Sequence, residues 1–156
     1  MSDNQRHKDL RMDGILIIEK SRKLYIDAKN HYDEYDKSPN ITDKELSSFL
    51  LQRALEIIVK GMLNYYYSEY SIGHGLTLNI NKIQEKEYRH KELCQVHDTL
   101  SELTKYDFIL EKWEKNNTYK GVKVKTKDLL SLFDLYEELW TFVVRNGLNV
   151  YEKSYH

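Results

Sequence analysis

The chain has 156 residues, 24 of them basic and 25 acidic, and this near-neutral balance argues against a generally basic nucleic-acid coat. Its single cysteine, Cys94, excludes an intrachain disulfide and fits a reducing compartment. The polar N-terminus has no apolar leader core, and no run approaches the ~18 apolar residues of a membrane span. The sequence therefore predicts a cytoplasmic protein that makes no membrane contact, and one domain is the default at this length.

The first two predicted helices follow from apolar spacing and from a proline between them. Apolar residues recur at helical intervals over 10–35, with Gly14 as a possible bend or late start. Pro39 disfavours helix at the residue before it, which separates the two helices. Thr42 and Glu45 match a capping box, so the second helix is expected to begin there and to continue to about residue 69.

Three further helices are predicted in the second half, and their ranges are 76–85, 93–115 and 127–144. Residues 120–125 alternate between polar and apolar side chains, which predicts an extended loop or a short edge strand. Short connections between four or five helices indicate an all-α, up-and-down four/five-helix bundle. We expect one domain over 1–156, with frayed tails at 1–8 and 147–156.

The second predicted helix carries the most distinctive polar pattern of the chain. Gln52, Glu56 and Lys60 are spaced four residues apart, so they lie along one helix face, with Ala54 between the first two. This arrangement resembles the second-helix signature of the HEPN superfamily, a group of small helical bundles named for nucleotide binding. The stretch that begins at His74 resembles the start of the family's third helix. The resemblance implies an HEPN-like bundle.

Ribonuclease members of that superfamily share an arginine followed, after four to six residues, by a histidine. No arginine of this chain has a histidine at that distance; Arg145-Asn146 resembles the motif's opening, but Val150 stands at the histidine position. Without an imidazole there, general acid–base catalysis loses its main agent. The resemblance therefore implies a non-catalytic member that binds a nucleotide, RNA or a partner protein. Such a member would work as the partner of a minimal nucleotidyltransferase, or in a toxin–antitoxin or defence system.

The ligand-binding candidates that follow from this resemblance lie on three parts of the chain. They are Gln52, Arg53, Glu56, Lys60, His74 and Arg145. A purely structural interpretation stays open, because a glutamate four residues before a lysine also forms a helix-stabilising ion pair worth ~0.2–0.5 kcal/mol.

Two other sets of side chains suggest contact with nucleic acid. Lys120, Lys123 and Lys125 form a concentrated basic stretch that can contact phosphates, although such runs are often solvated loops. Tyrosines at 65–67 and 70 can stack on bases, or can pack the end of the bundle or a dimer interface.

His90, Cys94 and His97 would share one face of a continuous helix, and all three are zinc-type ligands. Three ligands with no matching cluster elsewhere make them weak candidates, so neither a metal nor a cofactor is predicted. Two alternative functions stay open. One is a ribonuclease that combines Arg145 with His74 or His97, and the other is a structural module that forms a homodimer through its tyrosines.

Overall fold

The structure of the chain is a computed structural model that describes residues 3–67, 76–106 and 124–146. Within these ranges it contains five α-helices and no strand, which confirms the all-α helical bundle. Two short 3₁₀ helices, Glu87–Arg89 and Lys91–Val96, connect the third helix to the fourth. The α-helices are α1 (Asp3–Lys37), α2 (Ile41–Tyr67), α3 (Leu76–Glu85), α4 (His97–Thr104) and α5 (Thr126–Arg145). None of these described helices is both long enough and apolar enough to cross a membrane.

The two longest helices, α1 and α2, touch backbone to backbone at a pair of glycines. A Cβ atom on Gly14 would lie 2.8 Å from both the Gly61 carbonyl oxygen and the Tyr65 backbone nitrogen. A Cβ atom on Gly61 would lie 2.5 Å from Cγ1 of Ile18. The prediction of a bend or late start at Gly14 was wrong, because α1 begins at Asp3 and continues through it. Gly14 instead permits the close approach of α2.

The start of α2 differs from the predicted capping box. The Thr42 backbone N–H donates a hydrogen bond to Oδ1 of Asn40 over 2.8 Å. Asn40 thus serves as the N-cap of a helix that begins at Ile41, so Thr42 lies inside its first turn. The predicted start at Thr42 was therefore one residue late, because the side chain of Asn40 provides the cap.

The aromatic part of the core joins α1 to α5. The Tyr136 ring is fully buried and stacks on the Tyr25 ring, with centroids 4.4 Å apart and an angle of 12° between the planes. The Phe133 ring meets Tyr25 and Tyr32 edge-on at 5.6 and 5.7 Å. Ser21 Oγ donates to the Ile18 carbonyl over 2.6 Å and lies 2.9 Å from the Tyr136 hydroxyl, which therefore donates to it.

The bounds of the remaining helices agree in part with those predicted from the sequence. The third helix is confirmed at Leu76–Glu85, and the last occupies Thr126–Arg145, within two residues of its predicted bounds. The prediction of one continuous helix from residue 93 was wrong, because Lys91–Val96 is a 3₁₀ helix. Leu93 and Val96 are buried three residues apart, and this spacing places both on one side of a helix with three residues per turn.

The ends of the chain and two internal ranges, 68–75 and 107–123, are not fully covered by the described residues. Residues 3–8, predicted as part of a frayed tail, continue α1. The ranges 107–123 and 147–156 lie outside the described residues. Most of the predicted extended stretch at 120–125 and the whole predicted tail at 147–156 therefore lie outside them too.

Candidate functional site

The polar face predicted on α2 is mostly inside the protein. Gln52 is 3% exposed and Glu56 is 6% exposed, and Nε2 of Gln52 donates to Oε2 of Glu56 over 2.7 Å. Arg53, which follows Gln52, is exposed, and Lys60 is partly buried. The four candidates on this helix therefore do not form one open surface. Gln52 and Glu56 hydrogen-bond each other along one buried side of α2.

Other predicted contact residues are described only in part. His74, Lys120 and Lys123 lie outside the described residues, whereas Lys125 is exposed directly before α5. Tyr66 is 8% exposed, and its ring lies 5.6 Å from His90 and 6.0 Å from Phe142. Of the predicted base-stacking tyrosines, Tyr66 therefore packs the end of the bundle, which is the structural alternative that the sequence left open.

The two histidines of the zinc-type set contact different partners, and Cys94 is exposed. A 3₁₀ helix runs from Lys91 to Val96, so the four-residue interval between His90 and Cys94 does not bring them to one face. The His90 ring packs on Tyr66, and the His97 ring contacts Glu87. In the described part of the chain, no group of three or more His, Cys, Asp or Glu side chains is placed to hold a metal ion.

His97 is held by a carboxylate. Its Nδ1 atom lies 2.6 Å from Oε1 of Glu87, and since a carboxylate only accepts, the imidazole donates. This hydrogen bond, together with the negative charge of Glu87, raises the pKa of His97 above its ordinary value of 6.5. His97 is therefore more fully protonated near neutral pH than a free histidine, which makes it a poorer general base.

We expect the Glu87→Gln substitution to lower the midpoint of the His97 NMR titration toward 6.5, because it removes the charge that holds the proton. The wild-type pair should stabilise the fold fully below the pKa of the unfolded chain. That contribution should disappear as the pH rises through the higher pKa of the folded protein. The Glu92→Gln variant is the control, since Glu92 contacts His90 instead. An unchanged His97 midpoint in Glu87→Gln would contradict the contact.

A cleft of about 490 Å³ opens between α5 and the segment that contains the second 3₁₀ helix and the start of α4. We call it the α4–α5 cleft. Val96 and Phe142, which are both nearly buried, provide its apolar floor. Its polar lining consists of Gln95, Thr99, Glu137, Glu138, Thr141 and Arg145. A concave site with an apolar floor and a few polar groups is the usual form of a small-molecule site.

The acidic end of the cleft is fixed by its neighbours. Oε2 of Glu138 accepts a hydrogen bond from Thr99 Oγ1 over 2.8 Å. Oε1 of Glu137 accepts one from Nη1 of Arg22 over 3.1 Å. The Arg22 guanidinium lies between two aromatic rings, 4.8 Å from the Tyr25 centroid and 4.7 Å from the Trp140 centroid. These contacts hold both carboxylates in place, a requirement for a selective site.

The opposite end of the cleft carries Arg145, which is exposed in the last turn of α5. Among the described residues, Arg145 is the one predicted ligand-binding residue that lines the cleft. Glu137, Glu138 and Thr99 were not predicted. The adjacent glutamates resemble an ordinary solvated helix face in the sequence, and Thr99 reaches Glu138 only because α4 packs on α5.

A scan against protein-family models and searches of curated proteins and of solved structures found no match to this chain. The HEPN resemblance therefore stays a prediction that rests on the residues of α2.

Proposed function

We propose that this chain is a non-catalytic HEPN-type binding protein that holds a nucleotide, or the end of an RNA, in the α4–α5 cleft. The observation that carries the proposal is the exposed side chain of Arg145 at one end of a cleft that combines an apolar floor with several hydrogen-bonding groups. A guanidinium offers several N–H donors in a planar arrangement that matches two oxygens of a phosphate.

The cleft is a better candidate than the polar face of α2. A ligand that used Gln52 and Glu56 would have to reach two buried side chains and break the 2.7 Å hydrogen bond between them. Breaking a buried hydrogen bond and leaving its partners unsatisfied costs about 1–3 kcal/mol. Arg53 stays a rival phosphate contact, because it is exposed on the same helix.

The ribonuclease alternative requires a histidine that acts beside Arg145. Among the described residues, the lining of the cleft includes Gln95 and Val96 but not His97, whose ring contacts Glu87. A protonated imidazole bound to a carboxylate is poorly suited to remove a proton from a ribose hydroxyl. This arrangement disfavours cleavage by His97, whereas His74, the other histidine of that alternative, lies outside the described residues.

The experiment is a calorimetric titration of the full chain with nucleoside monophosphates and with a short single-stranded RNA. We expect Arg145→Ala to weaken binding roughly tenfold or more, because a charged hydrogen bond to phosphate is lost. The matched control is Arg53→Ala, another exposed arginine, which should change affinity less than about twofold.

A larger loss of affinity in Arg53→Ala than in Arg145→Ala would place the ligand on α2 instead of in the cleft. A wild-type chain that binds no nucleotide or RNA would contradict the proposal. Cleavage of the RNA during the titration would contradict its non-catalytic part.

The proposal also includes partners that follow from the family resemblance. These are a homodimer and a minimal nucleotidyltransferase, in a toxin–antitoxin or defence setting in the cytoplasm. Light scattering on the titration samples reports the homodimer directly, and a monomer mass at every concentration would remove it from the proposal.

A further inference from the structure

The two ends of the α4–α5 cleft carry opposite charges along one helix. Glu138 and Arg145 lie seven residues apart on α5, which corresponds to about 10 Å along the helix axis. Phe142 lies between them and contributes to the apolar floor. A ligand that fills the cleft therefore meets an acceptor at one end, an apolar surface in the middle and a cation at the other end.

Each end selects a different chemical group. Arg145 has only donors, so it favours an anion such as a phosphate. The Glu138 carboxylate has only acceptors, and of its two oxygens Oε2 accepts from Thr99 while Oε1 has no hydrogen-bond donor among the described residues. Oε1 can therefore accept an N–H group of a ligand, whereas a carbonyl oxygen placed there would be repelled.

The negative charge of the acidic end is partly offset from within the protein. The guanidinium of Arg22 bonds Glu137 and is held between the rings of Tyr25 and Trp140. A phosphate bound at Arg145 would also lie about one Debye length away from the carboxylates at physiological salt. An anionic ligand is thus compatible with a cleft that contains two glutamates.

We propose that the cleft binds a nucleoside phosphate in one orientation, with an amino group of the base donating to Glu138 and the phosphate bound by Arg145. This inference rests on the proposed nucleotide-binding function and adds a base preference to it. Guanine, adenine and cytosine carry an exocyclic amino group. Uracil in UMP has a single N–H donor, N3–H, and this group lies between two carbonyl oxygens that the carboxylate would repel. A carboxylate that accepts from such an amino group distinguishes bases by about 1–3 kcal/mol when the pairing is good.

The test is a calorimetric titration of the full chain with GMP, AMP, CMP and UMP at one ionic strength. We expect at least one amino-bearing nucleotide to bind roughly tenfold more tightly than UMP. Glu138→Gln should reduce this difference severalfold, because hydrogen bonds to a charged acceptor are about twice as strong as neutral ones. Asp134→Asn, an exposed acidic position one turn earlier on α5, should leave the difference unchanged.

The outcomes separate this inference from the broader function. If all four nucleotides bind with equal affinity and Glu138→Gln does not change those affinities, the base preference is overturned while nucleotide binding stands. An absence of binding to all four would overturn both. Backbone amide shifts at Thr99 and Glu138 when GMP is added to the wild-type chain are expected independently of any variant, and their absence during saturation would also overturn the inference.

Discussion

Replacing Tyr136 with alanine is expected to lower the free energy of unfolding by about 3–5 kcal/mol, the usual cost of removing a buried aromatic ring. Tyr136 is fully buried and stacks on Tyr25 at 4.4 Å, so its ring fills much of the contact between α1 and α5. A domain of this size is stabilised by only about 5–15 kcal/mol in total. Urea unfolding followed by circular dichroism measures the loss as a shift of the midpoint.

The Tyr136→Phe variant separates the ring from its hydroxyl. Phenylalanine keeps the stack on Tyr25 and loses the hydroxyl, which lies 2.9 Å from Ser21 Oγ and also interacts with Arg22. Ser21 still donates to the Ile18 carbonyl. The cost should therefore be about 0.5–1.5 kcal/mol. Burial raises the pKa of the Tyr136 phenol, so the hydroxyl is a neutral donor throughout the usual pH range. Equal losses in the two variants would contradict the importance of the ring stack.

Replacing Gly14 with alanine is expected to destabilise the protein by about 1–3 kcal/mol, although alanine is the better helix former. The added Cβ atom would lie 2.8 Å from two backbone atoms of α2, those of Gly61 and Tyr65, and backbone cannot move aside as a flexible side chain can. The helices would have to separate, and the contacts around the crossing would weaken. Thermal or urea unfolding of the variant measures the effect.

The matched control for Gly14→Ala is Asn30→Ala on an exposed part of the same helix. There only helix propensity changes, so stability should rise by a few tenths of a kcal/mol or stay the same. A Gly14→Ala variant that gained stability to the same degree would show that α1 and α2 are not in backbone contact at this point.

Helices with strong apolar periodicity were predicted well. The bounds of α3 and α5 follow directly from the spacing of residues such as Ile80, Leu132 and Leu139, all of which are buried. Features that depend on a neighbouring helix were predicted poorly. A glycine inside a helix is locally unfavourable, so the sequence predicts a bend or a late start at Gly14; the reason for this glycine is visible only in the close approach of α2.

The candidate site shows the same division between local and tertiary information. Arg145 was predicted from the residue that follows it, and the structure places it in the α4–α5 cleft. Thr99 and Glu138 are far apart in the chain and adjacent in space. No local pattern in the sequence connects them, because the connection is made by the packing of α4 on α5.

The sequence by itself determined that the chain is helical and where several helices begin and end, because these properties depend on neighbouring residues and on apolar spacing. It also placed Gln52 and Glu56 on one face of α2. Only the tertiary structure decided that this face is buried and that a cleft opens beside Arg145. The physical reason is that periodicity specifies which side chains share a face, whereas burial depends on what packs against that face.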